Sequence, residues 1–367
     1  MSALYATLAI LSLGFLIVVH EAGHYFVARW CKMRVDRFSI GFGPGIFKRQ
    51  SKKTGTVFQI APIPFGGFVE IRGMNIAEEV DPDDKYAYPN RPAWQRFVTI
   101  FAGPATNYLS AIFLALALYT CHGADSSWRW FEVAAVKDGY DAHGKLEVGD
   151  RILAVDDVPI LAQGEWRSPS GQHFKQASLR ERVALKKGGP VKITVLRGGQ
   201  QVDVTITPKL AFTELPYEPK QTLLLGIVPK SAADAVDLGI FGSIKAAIEY
   251  PVIQTKAIGA GLYDIVKGKE EADPGGPVRI YDEFTKAWEL GFVTGIKLLM
   301  LLSVYLGLFN LFPLPALDGG RLVFLTYELV TRRRPNPKIE AMVHMGGIMF
   351  LGVVMILVTF RDCRNMF

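Results

Sequence analysis

The residues most capable of chemistry lie at the end of the first apolar run, where the chain reads His20-Glu21-Ala22-Gly23-His24. Side chains four positions apart share one face of a helix, so His20 and His24 can bind one Zn²⁺ through their imidazoles. Glu21 then stands beside the metal as a candidate general base. Two histidines and a glutamate are costly in an apolar helix unless they bind something or line a wet cavity, so a packing role fits poorly.

A catalytic zinc needs a third protein ligand and an open position for water. Asp318 is the candidate, because it is another costly polar residue at predicted membrane depth, within the run NLFPLPALDGG at 310–320. Two prolines interrupt the helix there, which frees backbone groups and favours a cavity. The alternative role for Asp318 is a helix-end cap. Asn310 is expected either to hold a substrate carbonyl or oxyanion, or to form a hydrogen bond between helices.

Four apolar runs are long enough to carry these residues through a bilayer, which requires about 20 apolar residues. Of the 367 residues 50% are apolar and mean hydropathy is +0.21, which indicates membrane helices combined with a polar part and excludes a disordered chain. The first run is predicted to be a retained span and not a signal peptide, because no basic residue precedes it and no small-residue cleavage site follows. The predicted spans are 4–27, 97–120, 298–317 and 341–360.

Basic residues are concentrated in two short loops. Eight lysines and arginines lie between Arg29 and Lys53, where Asp36 is the one acid, and four more lie in 332–338. The positive-inside rule predicts that both loops are cytoplasmic, which leaves the chain ends and 121–289 outside. The histidine motif and Asp318 then reach the same, cytoplasmic leaflet. Topology and lipid-headgroup contact explain the net charge of +6 better than a nucleic-acid partner, for which no motif is present.

Residues 56–71, TVFQIAPIPFGGFVEI, combine β-branched and aromatic residues with turn formers and predict a β-hairpin. The segment is expected to be either a membrane-surface loop or an edge strand that pairs with an extended peptide. In the second case Gly66, Gly67 and Phe68 are candidate substrate-binding residues.

The segment predicted to lie outside begins with a small β-rich domain at 122–215, with one short helix near 174–185. Its run KLEVGDRILAVD, at 145–156, resembles the core strand of bacterial PDZ domains, which bind peptides by strand addition. A spacer without a ligand is the alternative. Residues 216–289, including an amphipathic helix at 241–266, are predicted to lie along the outer membrane face.

Together these runs resemble the site-2 protease family of intramembrane zinc metalloproteases, most closely its bacterial regulator-of-sigma-E type. The matching runs are 20–24, 66–69, GPATN at 103–107, and 310–320. The resemblance implies a polytopic α-helical membrane protein with four transmembrane helices, a membrane-associated β-hairpin region and one inserted PDZ domain, where many close relatives have two. It implies that His20, His24 and Asp318 are zinc ligands and that Glu21 is the catalytic acid/base.

The resemblance further implies a bacterial inner-membrane location and single-pass substrates already trimmed by another protease, typically anti-sigma factors, with remnant signal peptides as a second class. The PDZ domain would then filter substrates by size or read the trimmed end. Two other functions stay open: a membrane-anchored zinc protease of soluble or misfolded proteins at the cytoplasmic face, and a non-catalytic PDZ adaptor. The first would not need Asp318 in a distant broken span, and the second would not need Glu21.

Overall fold

The structure is a computed structural model that describes residues 2–75, 78–168, 170–213, 220–269 and 275–366. The helices within these residues are α1 (Ser2–Trp30), α2 (Ala93–His122), α3 (Leu179–Ala184), α4 (Gly239–Val266), α5 (Pro277–Glu289), α6 (Phe292–Leu311), α7 (Asp318–Thr331) and α8 (Pro337–Met366). The strands are β1 (Val35–Phe42), β2 (Phe47–Gln50), β3 (Val57–Ile60), β4 (Ile63–Ile71), β5 (Ala124–Val136), β6 (Arg151–Val155), β7 (Val158–Leu161), β8 (Glu165–Arg167), β9 (His173–Gln176), β10 (Val191–Arg197), β11 (Gln200–Ile206), β12 (Lys209–Thr213), β13 (Lys220–Leu224) and β14 (Ile227–Val236).

Two compact units make up the chain. The first joins Met1–Cys121 to Gly239–Phe367, and the second is His122–Leu238. The first unit therefore contains the predicted spans and both candidate metal-binding segments, and the second contains the predicted β-rich domain.

Four helices in the described residues are long and apolar enough to cross a membrane, at Ala3–Trp30, Ala93–His122, Phe292–Leu311 and Pro337–Arg364. Four membrane-length helices were expected from the sequence, and this is confirmed. The third begins and ends earlier than the predicted run 298–317, because the proline-containing turn at 312–317 ends α6 and Asp318 starts a separate helix, α7.

The segment 56–71 does not form a hairpin, so that prediction is wrong. Its two strands, β3 and β4, lie on opposite sides of β1 in a sheet of order β2-β3-β1-β4, with β1 parallel to β3 and antiparallel to β4. The link between them crosses the end of β1 at Gly41, whose φ is +89° and where a Cβ would lie 2.8 Å from the Ile63 carbonyl oxygen. Only glycine fits there. In the described part of the chain, β4 is an edge strand paired with β1 alone.

The second unit is β-rich, as the sequence predicts. Its larger sheet runs β11-β10-β6-β7-β9-β8, with β5 paired to both β6 and β14, and the short α3 falls within the predicted range. Its core contains Val133, Ile152, Val155 and Ile193, all nearly inaccessible to solvent. The unit continues past residue 215 to Leu238, because β14 pairs along β5 from Ala124 to Val136. Its identity as a PDZ domain stays a prediction.

The amphipathic helix expected at 241–266 is present as α4, and it packs along two membrane-length helices. Ala247 lies in a cluster with Ala115 and Met300, and farther along α4 Ile258 lies in a cluster with Ala111 and Val304. The helix α4 therefore packs against both α2 and α6, and its position along the outer membrane face stays a prediction.

Candidate metal centre

The helix α1 places the two histidines of the motif on one buried face. It continues without interruption from Ser2 to Trp30, so His20 and His24 are one turn apart in regular helix. Their exposed fractions are 8% and 6%. The sequence alone predicts this placement, because an i,i+4 pair depends only on helix geometry.

The Asp318 carboxylate reaches these histidines from the first turn of α7. Its Oδ2 lies 3.1 Å from Nε2 of His20 and 3.3 Å from Nε2 of His24. The turn that brings it there is tight, since a Cβ on Gly319 or Gly320 would overlap carbonyl oxygens of the 311–314 backbone. The structure thus brings together the three residues that the sequence singled out as ligands.

The spacing of the three donor atoms fits a zinc ion. The Nε2 atoms of His20 and His24 are 3.2 Å apart, so all three separations lie between 3.1 and 3.3 Å. Two ligands at 2.0–2.1 Å from a tetrahedral Zn²⁺ are about 3.3 Å apart. Apart from the two imidazole nitrogens, the buried Oδ2 of Asp318 has no hydrogen-bond partner among the described residues. Within these residues, His20, His24 and Asp318 are also the one cluster able to hold a metal ion.

Glu21 lies on the side of α1 that faces β4. A Cβ built on Gly67 would be 3.5 Å from Cγ of Glu21 and 2.9 Å from Ile17, so the strand can lie this close only with glycine at that position. The backbone of Val69 lies close enough to the Glu21 carboxylate to interact with it. Of the candidate substrate-binding residues, Gly67 is therefore beside the candidate base, while Phe68 stacks on Phe42 with ring centroids 6.4 Å apart.

The helix α2 supplies the outer partners of both histidines, a role that sequence analysis missed. Nδ1 of His24 donates to the Thr99 carbonyl at 2.8 Å, and the Asn107 amide nitrogen lies 3.0 Å from Nδ1 of His20. Gly103, midway between them, leaves room for the rings. These three residues follow an i, i+4, i+8 pattern on one face of an apolar helix, which indicates the contact only once α1 is known to pack against that face.

Two further polar side chains of the first unit, Asn310 and His344, form hydrogen bonds to backbone groups. Asn310 donates from its amide to the Leu306 carbonyl of its own helix at 2.9 Å, and its role toward substrate stays a prediction. His344, in α8, accepts a 3.2 Å hydrogen bond on Nδ1 from the Ala316 N–H. Because Ala316 has a φ of +76° and precedes Asp318 by two residues, His344 helps to hold the ligand-bearing turn.

Comparison with known proteins decides the family. The sequence profile of "Peptidase family M50" matches residues 8–354, which is nearly the whole chain. The chain belongs to this family. Similar proteins named "Putative zinc metalloprotease" occur in Rickettsia conorii, with 30% identity over 98% of each chain, and in Mesorhizobium japonicum, with 32% identity over 92% of this chain and 94% of the relative. A third, in Fusobacterium nucleatum, is 31% identical over 98% of each chain.

For this M50 member, the family and the geometry agree on the type of centre. The family is one of zinc metalloproteases, and the donor set of two imidazoles and one carboxylate is a ligand set typical of catalytic zinc. A zinc ion held by these three residues would keep a fourth position open, which a hydrolytic zinc site requires.

Proposed function

We propose that this protein is an intramembrane zinc endopeptidase that cleaves single-pass membrane substrates. The observation that carries the proposal is the convergence of His20, His24 and Asp318 within 3.3 Å of one another, from helices α1 and α7 of a unit built on four membrane-length helices. A site at this place hydrolyses peptide bonds only if water and an unfolded segment of substrate reach it. Glu21 and the strand β4, both next to the ligands, are the groups that meet these two needs.

Zinc held by Nε2 of His20, Nε2 of His24 and Oδ2 of Asp318 would supply a Lewis acid that polarises the scissile carbonyl and makes water more acidic. Glu21 accepts a proton from water as the water oxygen forms a bond to the carbonyl carbon. It then delivers that proton to the leaving nitrogen as the carbon–nitrogen bond breaks. The backbone of Val69, which interacts with the carboxylate of Glu21, would help to orient it for both transfers.

The open edge of β4 is the proposed binding site for the substrate segment. A peptide bond inside a helix is protected by intrahelical hydrogen bonds, so the substrate must unwind before attack. An unwound segment that pairs with β4 recovers backbone hydrogen bonds by strand addition. Gly66, Gly67 and Phe68 would line this pairing, and Gly67 brings it next to Glu21.

We extend the proposal to the substrate class, the role of the second unit and the orientation in the membrane. Following the family resemblance, the substrates are anti-sigma factors already cut by another protease, with remnant signal peptides as a second class. The second unit, as a PDZ domain, would read the trimmed end or exclude untrimmed substrates. The basic loops favour an orientation in a bacterial inner membrane that has the ligands toward the cytoplasmic side and both chain ends in the periplasm.

The first test compares the wild-type protein with Glu21→Gln in detergent. Both proteins are expected to bind one equivalent of zinc, because Glu21 is not a ligand, and only the wild type is expected to cut a single-span peptide. Equal cleavage by the two would overturn the proposed role of Glu21.

A second test separates intramembrane cleavage from proteolysis of soluble chains. The substrates are a single-span peptide with a Gly-Pro pair inside its span, the same peptide with Leu-Leu at that place, and an unfolded soluble protein. Because unwinding is required, the Gly-Pro peptide is expected to be cut faster than the Leu-Leu peptide. Preferred cleavage of the soluble protein would favour the membrane-anchored protease instead.

In a cysteine-free background, Phe68→Cys is expected to cross-link to a cysteine placed near the cut site.

A further inference from the structure

We infer that Asn107 is a positioning residue that sets which nitrogen of His20 carries the proton, and thereby makes Nε2 available to the metal. This inference rests on the proposed zinc site. It concerns a side chain that touches neither substrate nor metal and acts through His20.

Asn107 is fully buried in α2, and only one of the two polar atoms of its amide has a hydrogen-bond partner among the described residues. Its Nδ2 faces Nδ1 of His20 at 3.0 Å, whereas its Oδ1 has no hydrogen-bond partner among the described residues. A buried amide oxygen without a donor is costly. Turning the amide over would exchange one hydrogen bond for another, because Oδ1 could then accept from the ring and Nδ2 would move to the position that Oδ1 now occupies.

His24 differs from His20 because its proton is fixed. The partner of Nδ1 is the Thr99 carbonyl, at 2.8 Å, and a carbonyl can only accept. His24 must accordingly carry a proton on Nδ1, which leaves Nε2 as the ring nitrogen that can bind a metal. The protonation of His20 is not fixed in this way, since an amide can offer either a donor or an acceptor.

Asn107 can support two arrangements of His20. With Nδ2 toward the ring, Nδ1 of His20 is an acceptor and the proton is on Nε2, within 3.1–3.2 Å of Asp318 Oδ2 and His24 Nε2. Metal binding through Nε2 requires the proton on Nδ1 instead. A half-turn of the Asn107 amide puts Oδ1 opposite Nδ1–H, and the oxygen loses no hydrogen bond in the exchange.

The experiment measures zinc affinity in the full-length protein by competition with a chelator. Asn107→Leu keeps the approximate size and removes the acceptor, and it is expected to weaken zinc binding by about 10–100-fold. Asn107→Asp, which can accept from Nδ1–H but cannot donate, is expected to restore most of that loss. Asn310→Leu is the matched control, because that amide is bound to the Leu306 carbonyl of its own helix, and its zinc affinity is expected to equal that of the wild type.

A second measurement does not depend on a variant. In zinc-loaded wild type, nitrogen chemical shifts of His20 are expected to show a protonated Nδ1 and a metal-bound Nε2. Metal on Nδ1, or a zinc affinity of Asn107→Leu within twofold of wild type, would overturn the inference. An Asn107→Asp protein that binds zinc no better than Asn107→Leu would also overturn it. If the wild type binds zinc but cuts no peptide, the proposed function fails and the role of Asn107 stands.

Discussion

Replacing Gly103 by alanine is expected to dismantle the metal centre without removing any of its ligands. Gly103 lies in α2 directly opposite both imidazole rings. A Cβ at this position would be 2.9 Å from Cε1 of His20 and closer still to two ring atoms of His24, where ordinary contact begins at 3.4 Å. Both rings are buried, so they have little room in which to retreat.

The size of the effect follows from these distances. Restoring ordinary contact moves the His20 ring by about 0.5 Å and the His24 ring by more, whereas zinc–ligand distances hold within about 0.2 Å. The two nitrogens and Oδ2 of Asp318 then no longer form a triangle of the right size. Zinc affinity is expected to fall on the order of 100-fold, the upper end of the range for disturbing an outer partner of a metal ligand.

The assay is zinc competition with a chelator in detergent, using Gly14→Ala as control. Gly14 lies in α1, and a Cβ there has no atom within 4 Å, so its zinc affinity is expected to equal that of the wild type. Both substitutions raise helix propensity, which therefore cannot explain a difference between them. Zinc affinity of Gly103→Ala within threefold of wild type would refute the reasoning, because the rings would then have found room to move.

Three further changes have expected outcomes. Asp318→Ala removes a ligand and should weaken zinc binding by more than the roughly 10–100-fold that loss of an outer partner costs, and unchanged zinc content would exclude Asp318 as a ligand. His344→Phe removes the acceptor of the Ala316 N–H and should lower zinc affinity about tenfold. Equal affinity would show that the turn before Asp318 keeps its conformation without this hydrogen bond. In the second unit, burial raises the pKa of Asp150, but its hydrogen bonds from Arg197 outweigh this and hold the pKa below the usual value. Asp150→Asn should therefore lower the free energy of unfolding by about 2–3 kcal/mol at pH 7, and acid titration by circular dichroism should show the difference shrinking as the pH falls below about 4, toward the lowered pKa. A difference that is constant with pH would contradict the assigned ion pair.

The cluster of His20, His24 and Asp318 could be predicted from the sequence because each of these residues is costly in an apolar segment. Two histidines one turn apart and an aspartate after a proline-broken run are expensive in apolar segments, and cost of this kind is visible without a structure. The pairing of strands in 56–71 could not be predicted in this way. A two-residue link between two strands normally indicates a hairpin, and the crossing over β1 depends on the close approach at Gly41, which is a tertiary contact.

The outer partners of the histidines were missed for a related reason. Thr99 contributes a backbone carbonyl, which any residue could supply, and Asn107 is a single amide in a span where an interhelix hydrogen bond is an equally ordinary role. Neither residue type identifies the contact. What identifies it is the position of both on the α2 face that carries Gly103, and this becomes meaningful only when α1 is known to pack there.

Close approach of helices is what connects the fold of the first unit to its chemistry. A Cβ at Gly23 would overlap the Ala102 carbonyl oxygen, and one at Gly347 would overlap Pro315, so α1 meets α2 and α8 meets the ligand-bearing turn at glycine contacts. In a bilayer, small residues of this kind allow helix packing because the backbones can approach each other. Gly103 allows the same close approach at the candidate metal site, where α2 lies directly against the two imidazole rings. The spacing of the three donor atoms is therefore set by distances between backbones. We expect a methyl group added at such a contact to weaken zinc binding, although it removes no ligand.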